Sequence, residues 1–268
     1  MVTLLCTVRN CGRPLSREGR TMTCESRHSF DLARSGYVNL LQPQDRRSRT
    51  PGDSAAAVQA RRRLAERGIL EPLLRPMIEL LGPRSGGAIL DVGCGEGYHL
   101  AAFRDALGCE AHGTDISTAA VDLAARAHPD CSWTVANADR FLPYASDSFA
   151  ALTSITSRIH ADEFRRVLVD DGTLLVAVPG PADLIELREA ILGEGRPIDR
   201  VRPVEGFELR EQERVTHRSR LDRAAALDLM TSSYRGLRNH QRARMDALAD
   251  EVDVTLSRDI LLFMKQGS

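Results

Sequence analysis

The chain has 268 residues, of which 43% are hydrophobic and 27% are charged, as expected for a folded protein with one large domain and one small one. No apolar run approaches the roughly 20 residues that a membrane-spanning helix needs, and the N-terminus lacks the basic and apolar segments of a secretory signal. These features argue against a membrane protein or a secreted protein, and we expect a cytoplasmic one.

The near-neutral total charge of −1 hides an uneven distribution along the chain. Residues 1–75 contain 14 Arg and 7 acidic residues, a net charge of +7, and residues 76–268 carry a net charge of −8. A basic segment of this kind indicates contact with a polyanion.

Residues 1–40 are predicted to form a small metal-binding module. Cys6 and Cys11 form one pair, Cys24 and His28 form another, and 12 residues separate the pairs. Three thiolates and one imidazole suit a tetrahedral zinc ion, which would stabilise a segment with few apolar residues. The alternatives are a disulfide between two of the cysteines, or cysteines and a histidine that are close in sequence only.

Residues 41–82 are predicted to be a basic linker followed by two helices. Ser54 or Asp53 can cap the first helix, Gly68 can end it, and the second spans about 71–81. Six arginines in this segment are candidate contacts to the phosphates of such a polyanion: Arg46, Arg47, Arg49, Arg61, Arg62 and Arg63. The alternative is a solvated basic face.

Residues 83–268 alternate between predicted strands and helices, the pattern of a parallel sheet covered by helices on both faces. Predicted helices follow Glu96 and Ser117 and span about 160–168 and 182–192, and a final pair of strands encloses another helix. The predicted strands before that pair are AILDV, EAHGTD, SWTVAN, FAALTSI and TLLVAVP.

A glycine-rich turn follows the first of these strands and predicts a cofactor site. An acid beside the turn disfavours a pyrophosphate and favours a ligand that carries an ammonium and a sulfonium, so S-adenosylmethionine is preferred to NAD. The predicted cofactor-binding residues are Asp91, Gly93, Gly95, Gly97, Asp115 for the ribose, and Ala138 or Asp139 near the adenine. The alternative is that the glycines serve a tight turn only.

The whole chain resembles the large-subunit rRNA (guanine-N1)-methyltransferases. The peptides that carry the resemblance are CESRHSFD, GYVNLL, SRTPGDS, LDVGCGEGY and VPGPADLIEL. It implies a class I methyltransferase fold, α/β with a Rossmann-like, mostly parallel seven-stranded sheet in which one strand is reversed, preceded by a structural zinc module. It also implies a homodimer that methylates N1 of a guanine in the helix-35 hairpin of 23S rRNA.

This sequence departs from the family pattern at two places. The spacing of Cys6 and Cys11 is wider than the usual CxxC, so we expect a larger first zinc-binding turn. The stretch ITSRIHADE stands where the family has an Ala-Pro pair, in the part of the fold that faces the acceptor base. This second departure leaves open two other functions: a methyltransferase redirected to another RNA or a small molecule, or a non-catalytic RNA-binding relative.

Guanine N1 carries a proton at neutral pH, so methylation requires a route for that proton. His160 is the candidate general base, and its alternative role is that of a surface residue at a helix start. Tyr37 and Phe30 could stack on RNA bases, although Phe30 also suits the apolar interior of the zinc module.

Overall fold

The computed structural model of the protein describes residues 2–45, 51–82, 87–193, 203–234 and 238–267. Of the candidate phosphate contacts, Arg46, Arg47 and Arg49 lie outside the described residues. No helix in the described ranges is long and apolar enough to cross a membrane.

The N-terminal module is built on a three-stranded antiparallel sheet. Its strands are β1 (Leu15–Glu18), β2 (Thr21–Cys24) and β3 (Ser29–Asp31), in the spatial order of the sequence. The interior of the module is small, and its buried hydrophobic residues are Cys6, Leu15, Cys24, Val38 and Leu40. Such a core is too small to hold a fold by itself, which agrees with the predicted need for a metal.

Two helices cover the cleft side of the core domain, as predicted for residues 41–82. Helix α1 (Ala55–Glu66) begins at Ser54, whose hydroxyl accepts a 3.2 Å hydrogen bond from the backbone N–H of Ala57. Of the two predicted caps, Ser54 is therefore the one used. Helix α2 (Glu71–Leu81) follows a turn at Gly68, whose φ of +69° suits glycine.

In the described residues, the central sheet has eight strands. It contains the two-residue strand β4 (Val38–Asn39) and seven longer ones: β5 (Ala88–Val92), β6 (Glu110–Asp115), β7 (Ser132–Val135), β8 (Phe149–Ile155), β9 (Leu168–Pro179), β10 (Phe207–Asp222) and β11 (Glu251–Lys265). The spatial order is β10-β11-β9-β8-β5-β6-β7-β4. Strand β11 runs antiparallel to both neighbours, and the other pairs are parallel.

The predicted seven-stranded sheet with one reversed strand is thus confirmed, and strand β4 extends it by one. Strand β4 pairs with β7, and the N–H of Leu40 donates a 2.9 Å hydrogen bond to the carbonyl of Val135. The C-terminal end of the zinc module therefore forms an edge strand of the core-domain sheet. A second backbone hydrogen bond connects the module to the core domain: the N–H of Leu5 donates to the carbonyl of Pro143 at 3.0 Å.

Helices pack on both faces of the sheet. They are α3 (Tyr98–Leu107), α4 (Thr118–Ala127), α5 (Ala161–Val167), α6 (Ile185–Leu187), α7 (Arg223–Ser233) and α8 (Asn239–Asp246). Successive residues of β5 serve different cores, with Ile89 in one hydrophobic cluster and Leu90 in the other. This alternation is what a strand buried on both faces requires.

The helix predicted from Ala182 to Leu192 begins later and is irregular. Helix α6 has only three residues, and a π-helical turn continues it over Arg188–Leu192. Leu184, just before α6, has a φ of +53°, so a regular helix does not extend back to Ala182. The correction matters for the site because Asp183, Leu184 and Arg188 of this segment line the cleft described below.

Candidate active site and zinc centre

A cleft of about 840 Å³ opens at the carboxyl ends of the parallel strands. From β5 the chain continues through β6 and β7 on one side and then crosses to β8 and β9 on the other side. The strand order therefore reverses its direction at β5. Ligands of open α/β sheets bind at such a switch point. Of the residues predicted for the cofactor, the cleft is lined by Asp91, Gly93, Gly95, Asp115, Ala138 and Asp139.

The glycine turn is held by backbone contacts to the neighbouring strand. The N–H groups of Gly93 and Cys94 donate to the carbonyl of Thr114 at 2.8 and 3.1 Å. The N–H of Gly95 donates to Asp115 Oδ2 at 3.0 Å, and the N–H of Ser117 donates to Asp115 Oδ1 at 2.8 Å. Asp115 is therefore fixed at the end of β6, where an acid meets ribose hydroxyls.

Gly97 has a packing role in this structure and does not line the cleft. Its φ is +86°, and a Cβ built on it would lie 2.5 Å from the ring of Trp133. The indole N–H of Trp133 donates to the carbonyl of His128 at 2.9 Å, which fixes the ring. The third glycine of the turn therefore makes room for a tryptophan under the loop.

Asp91 is buried beside the turn at the end of β5. The pKa of Asp91 is raised to about 7, mainly by burial. A hydrogen bond from Thr153 lowers the pKa, and the negative charges of Asp115 and Glu96 contribute to the rise. The Thr153 hydroxyl donates to Asp91 Oδ1 at 2.7 Å. A cation in the cleft would favour the ionised carboxylate.

Arg61 lies in the cleft between two carboxylates and not on an open face of α1. Its Nε donates to Glu96 at 3.1 Å, and its terminal nitrogen pairs with Asp53. Its guanidinium also lies 3.8 Å from a Cβ built on Gly95. Sequence reasoning grouped Arg61 with its neighbours because nothing in RRR distinguishes the residue that points inward.

The other two arginines of α1 form ion pairs on the outside of the helix. Arg62 donates to Glu66 at 2.6 Å, and Arg63 donates to Asp228 at 2.9 Å. Their side chains are 43% and 53% exposed, so both can reach solvent. Contact with RNA phosphates stays a prediction for this pair.

The SRIH stretch lies beside Asp139 at the edge of the cleft. Arg158 and His160 contact the two carboxylate oxygens of Asp139 at 3.2 and 3.1 Å. Burial lowers the pKa of His160, so the imidazole beside Asp139 is neutral at neutral pH. His160 lines the cleft and is the residue before α5, so its role as a general base stays a prediction.

The backbone is strained where this stretch begins. Thr156 has a φ of +53°, which is unusual for a β-branched residue. The next side chain, Ser157, lies directly over the glycine turn: a Cβ built on Gly93 would be 2.2 Å from its Oγ. Strain of this kind is found at functional sites, where the surroundings stabilise an unusual conformation.

The far wall of the cleft contains charged groups that sequence reasoning missed. Asp183 and Arg258 form a 2.6 Å ion pair in which both side chains are largely buried, and Arg188 lies beside them. His99 faces the same space, where burial lowers its pKa to about 4, as do the charges of Arg258 and Arg61. The only sequence signal was that Asp183 lies within VPGPADLIEL.

The four predicted zinc ligands come together in the N-terminal module. The ligand atoms of Cys6, Cys11, Cys24 and His28 all lie within 4.8 Å of one another. None of the three cysteines forms a disulfide, which removes that alternative. A hydrogen bond from the backbone N–H of Arg13 lowers the pKa of Cys11 to about 6, together with His28.

This donor set fits zinc. Three sulfur atoms and one imidazole nitrogen are the ligands of closed, tetrahedral structural sites, and the cluster leaves no fifth protein donor among the described residues. Phe30 packs against the hydrophobic core of this module, as the alternative interpretation expected. Tyr37 is half-buried and packs against the core of the large domain.

Comparison with known proteins agrees with both parts of this architecture. Residues 5–49 match a zinc-ribbon family described as RlmA, N-terminal, and residues 89–172 match a methyltransferase domain. A chain in the solved complex of the Haloferax volcanii Trm112 methyltransferase activator with a methyltransferase superposes with a TM-score of 0.52. It is 20% identical and covers 81% of this chain and 99% of its own. That similarity concerns the fold alone.

Two curated proteins match over most of the chain. The 23S rRNA (guanine(748)-N(1))-methyltransferase of Streptomyces fradiae is 36% identical and covers 81% of this chain and 80% of its own length. A protein of Micromonospora griseorubida named as a 23S rRNA (guanine-N(1)-)-methyltransferase is 33% identical, with coverage of 91% and 92%. With a zinc module, a cofactor cleft and this extent of identity, the chain belongs to the family of 23S rRNA (guanine-N1)-methyltransferases.

Proposed function

We propose that the protein transfers a methyl group from S-adenosylmethionine to N1 of a guanine in the helix-35 hairpin of 23S rRNA. The observation that carries this proposal is the cleft itself: Asp91 and Asp115 flank the glycine turn in a chain that belongs to this family. Since its substrate is ribosomal RNA, the enzyme would act in the cytoplasm.

The residues of the cleft fit S-adenosylmethionine. Asp115 suits the ribose hydroxyls, the Ala138–Asp139 turn suits the adenine, and Asp91 suits the cationic end of the cofactor. Arg61 gives the cofactor carboxylate a cationic neighbour beside Gly95. When bound, the cofactor supplies an electrophilic methyl group on a sulfonium.

The protein's own contribution is to orient the acceptor and exclude water. A base inside a duplex cannot reach the cleft, so the guanine must leave its stack. Ser157 lies over Gly93 of the glycine turn, and with the strained Thr156 it would position the acceptor against the cofactor end of the cleft. Alignment of the reacting atoms then supplies much of the rate.

The zinc module has a structural and RNA-binding role in this proposal. Its ligands form a closed set, so zinc holds the module together and leaves no open position for catalysis. Arg62 and Arg63, with Arg46, Arg47 and Arg49, would contact phosphates, and a homodimer would present two such surfaces to the hairpin.

Primer extension across the helix-35 hairpin tests the proposal. Purified protein is incubated with 23S rRNA with and without S-adenosylmethionine, and an N1 methyl appears as a stop because it blocks Watson–Crick pairing. We expect one cofactor-dependent stop at a guanine. A stop in another RNA segment would show that the target lies there and not in the helix-35 hairpin. If protein that binds both zinc and cofactor gives no stop, the proposed function is rejected.

A further inference from the structure

The cofactor residues occupy only one side of the cleft. The opposite side lies at the end of β9 and along β11, where Pro179 and Arg258 are register partners. In the sheet, β9 lies two strand spacings from β5, and β11 lies three. At about 4.8 Å per spacing, the wall is roughly 10–15 Å from Asp91. That gap suits a purine ring next to a transferable methyl group.

Two groups of opposite charge meet on this wall. Asp183 Oδ2 forms a 2.6 Å ion pair with a terminal nitrogen of Arg258, and Asp183 Oδ1 accepts a 2.8 Å hydrogen bond from the N–H of Ser257. The exposed fractions of the Asp183 and Arg258 side chains are 8% and 15%. Both line the cleft, so they are shielded from bulk solvent and still face a ligand.

Each of these groups keeps hydrogen-bonding capacity. A carboxylate offers about four lone-pair positions, and the contacts of Asp183 use one on each oxygen. The same nitrogen of Arg258 contacts Asp183 and the carbonyl of Ser257, and a guanidinium has five N–H donors. A ligand in the cleft can therefore reach an acceptor and a donor side by side.

The remaining carboxylates of the cleft are occupied differently. Asp139 contacts Arg158 and His160, and Arg61 contacts both Glu96 and Asp53. Asp115 accepts two backbone N–H groups, and Asp91 accepts the hydroxyl of Thr153. These five carboxylates of the described cleft lining belong to the cofactor side. Asp183 is the carboxylate of the acceptor wall.

The backbone next to Asp183 is strained, as it is at Thr156 on the other side of the acceptor space. Leu184 has a φ of +53° although its side chain is buried, and its N–H donates to the carbonyl of Thr255 at 2.7 Å. Residues held in this conformation are strained, and they cluster at active sites.

On these observations, and resting on the proposed function, we propose that Asp183 and Arg258 recognise the acceptor guanine and that Asp183 takes its N1 proton. The Watson–Crick edge of guanine offers the N1–H and N2–H donors next to the O6 acceptor. Asp183 suits the two donors, and Arg258 suits O6, onto which charge moves as the proton leaves.

In the proposed step, the N1–H bond of guanine breaks, the proton moves to the Asp183 carboxylate, and the electron pair stays on N1. The N1–carbon bond then forms as the carbon–sulfur bond of the methyl donor breaks, and that electron pair leaves on sulfur. Asp183 afterwards releases the proton to solvent.

The first test is RNA binding without a methyl donor. A synthetic hairpin with inosine at the target lacks the N2 amine, and we expect wild-type protein to bind it roughly 10-fold more weakly than the guanine hairpin. For Asp183→Asn we expect this difference to shrink below about threefold. A difference that persists in the variant would overturn the recognition role.

The second test is the single-turnover rate of methylation. We expect Asp183→Asn to methylate the hairpin about 100-fold or more slowly than wild type. The rate of the variant should rise about tenfold per pH unit, because it requires a guanine that is already deprotonated. Among the described residues, the charged groups in contact with Asp183 are Arg258, through the ion pair, and Arg188, which donates to the Asp183 carbonyl, and His99 lines the same cleft. Arg258→Lys, which keeps the charge, separates loss of charge from loss of geometry.

Matched variants make the result specific. Asp259→Asn changes the next residue of β11, also a buried carboxylate paired with an arginine, Arg214, but one that does not line the cleft. We expect it to keep the rate and the inosine discrimination. His160→Gln tests the other candidate base: if it abolishes the wild-type pH profile and Asp183→Asn does not, the proposal is overturned.

The wild-type protein separates this proposal from the function on which it rests. If wild type methylates N1 and Asp183→Asn matches it in rate and pH profile, the function stands and this inference fails. If wild type leaves every guanine N1 unmodified, both fail. Calorimetric binding of S-adenosylmethionine by each variant confirms that the cleft has folded.

Discussion

The hydroxyl of Thr153 on β8 donates a 2.7 Å hydrogen bond to the buried carboxylate of Asp91 on β5. Without ligand, burial raises the pKa of Asp91 to about 7. A bound ammonium and sulfonium would favour the ionised form, so binding below pH 7 must release a proton. We expect the affinity for S-adenosylmethionine to be constant above about pH 7 and to fall up to tenfold per unit below it, measured by calorimetry.

Variants at this pair assign the titration. Asp91→Asn should bind weakly with no such pH dependence, and Thr153→Val should move the midpoint upward because the Thr153 bond lowers the pKa. A raised pKa in the folded state means that ionisation destabilises the fold as pH rises from the unfolded-state value through about 7. Ligand-free Asp91→Asn should therefore melt higher than wild type at pH 8. Unchanged pH dependence in this variant would implicate Asp115 or Glu96.

Gly93 and Gly108 offer a comparison of two glycines with positive φ. Gly93→Ala brings a Cβ within 2.2 Å of Ser157 Oγ, whereas Gly108→Ala meets open space. Both variants should lose roughly 1–2 kcal/mol of stability through backbone strain. Only Gly93→Ala should also lose cofactor affinity, by roughly tenfold or more, and adding Ser157→Gly should restore part of it. Equal loss of affinity in the two variants would contradict the packing of Ser157 on the turn.

The zinc module depends on its ligands because its own hydrophobic core is small. We expect one zinc per chain in wild type, measured by elemental analysis, and less in Cys11→Ser or Cys24→Ser. These variants should melt earlier and bind RNA more weakly, while affinity for S-adenosylmethionine changes less than about threefold. Cys109→Ser, which lies outside the cluster, is the control and should retain zinc. Full zinc content in both ligand variants would rule out the site.

Arg61 and Arg62 are adjacent on α1 and should differ in function. Arg61→Ala should weaken cofactor binding by roughly tenfold because its guanidinium lies in the cleft. Arg62→Ala should leave cofactor binding unchanged and reduce RNA affinity. The slope of log affinity against log salt should fall by about 0.7–0.9 for the lost phosphate contact. Filter binding and calorimetry on both variants check this, and the opposite assignment would exchange their roles.

Most of the architecture could be predicted from local patterns. The periodicity of AILDV and its successors indicated the parallel strands, and the spacing of Cys6, Cys11, Cys24 and His28 indicated a metal site. Both signals are local, because a buried strand and a pair of metal ligands each lie within a few residues. The helix predicted from Ala182 was wrong at its start, since the strained Leu184 is stabilised by Thr255, a residue far away in the sequence.

By itself, the sequence determined the fold class, the three cysteines and the histidine that cluster in the N-terminal module, and the acids beside the glycine turn, because these depend on residue type and short spacing. Only the tertiary structure decided which arginine of RRR turns inward, that Gly97 serves Trp133, and that Asp183 faces the cleft beside Arg258. These facts depend on contacts between segments that are distant in the chain. No local periodicity encodes them, since the partner of each residue is supplied by another element of the fold.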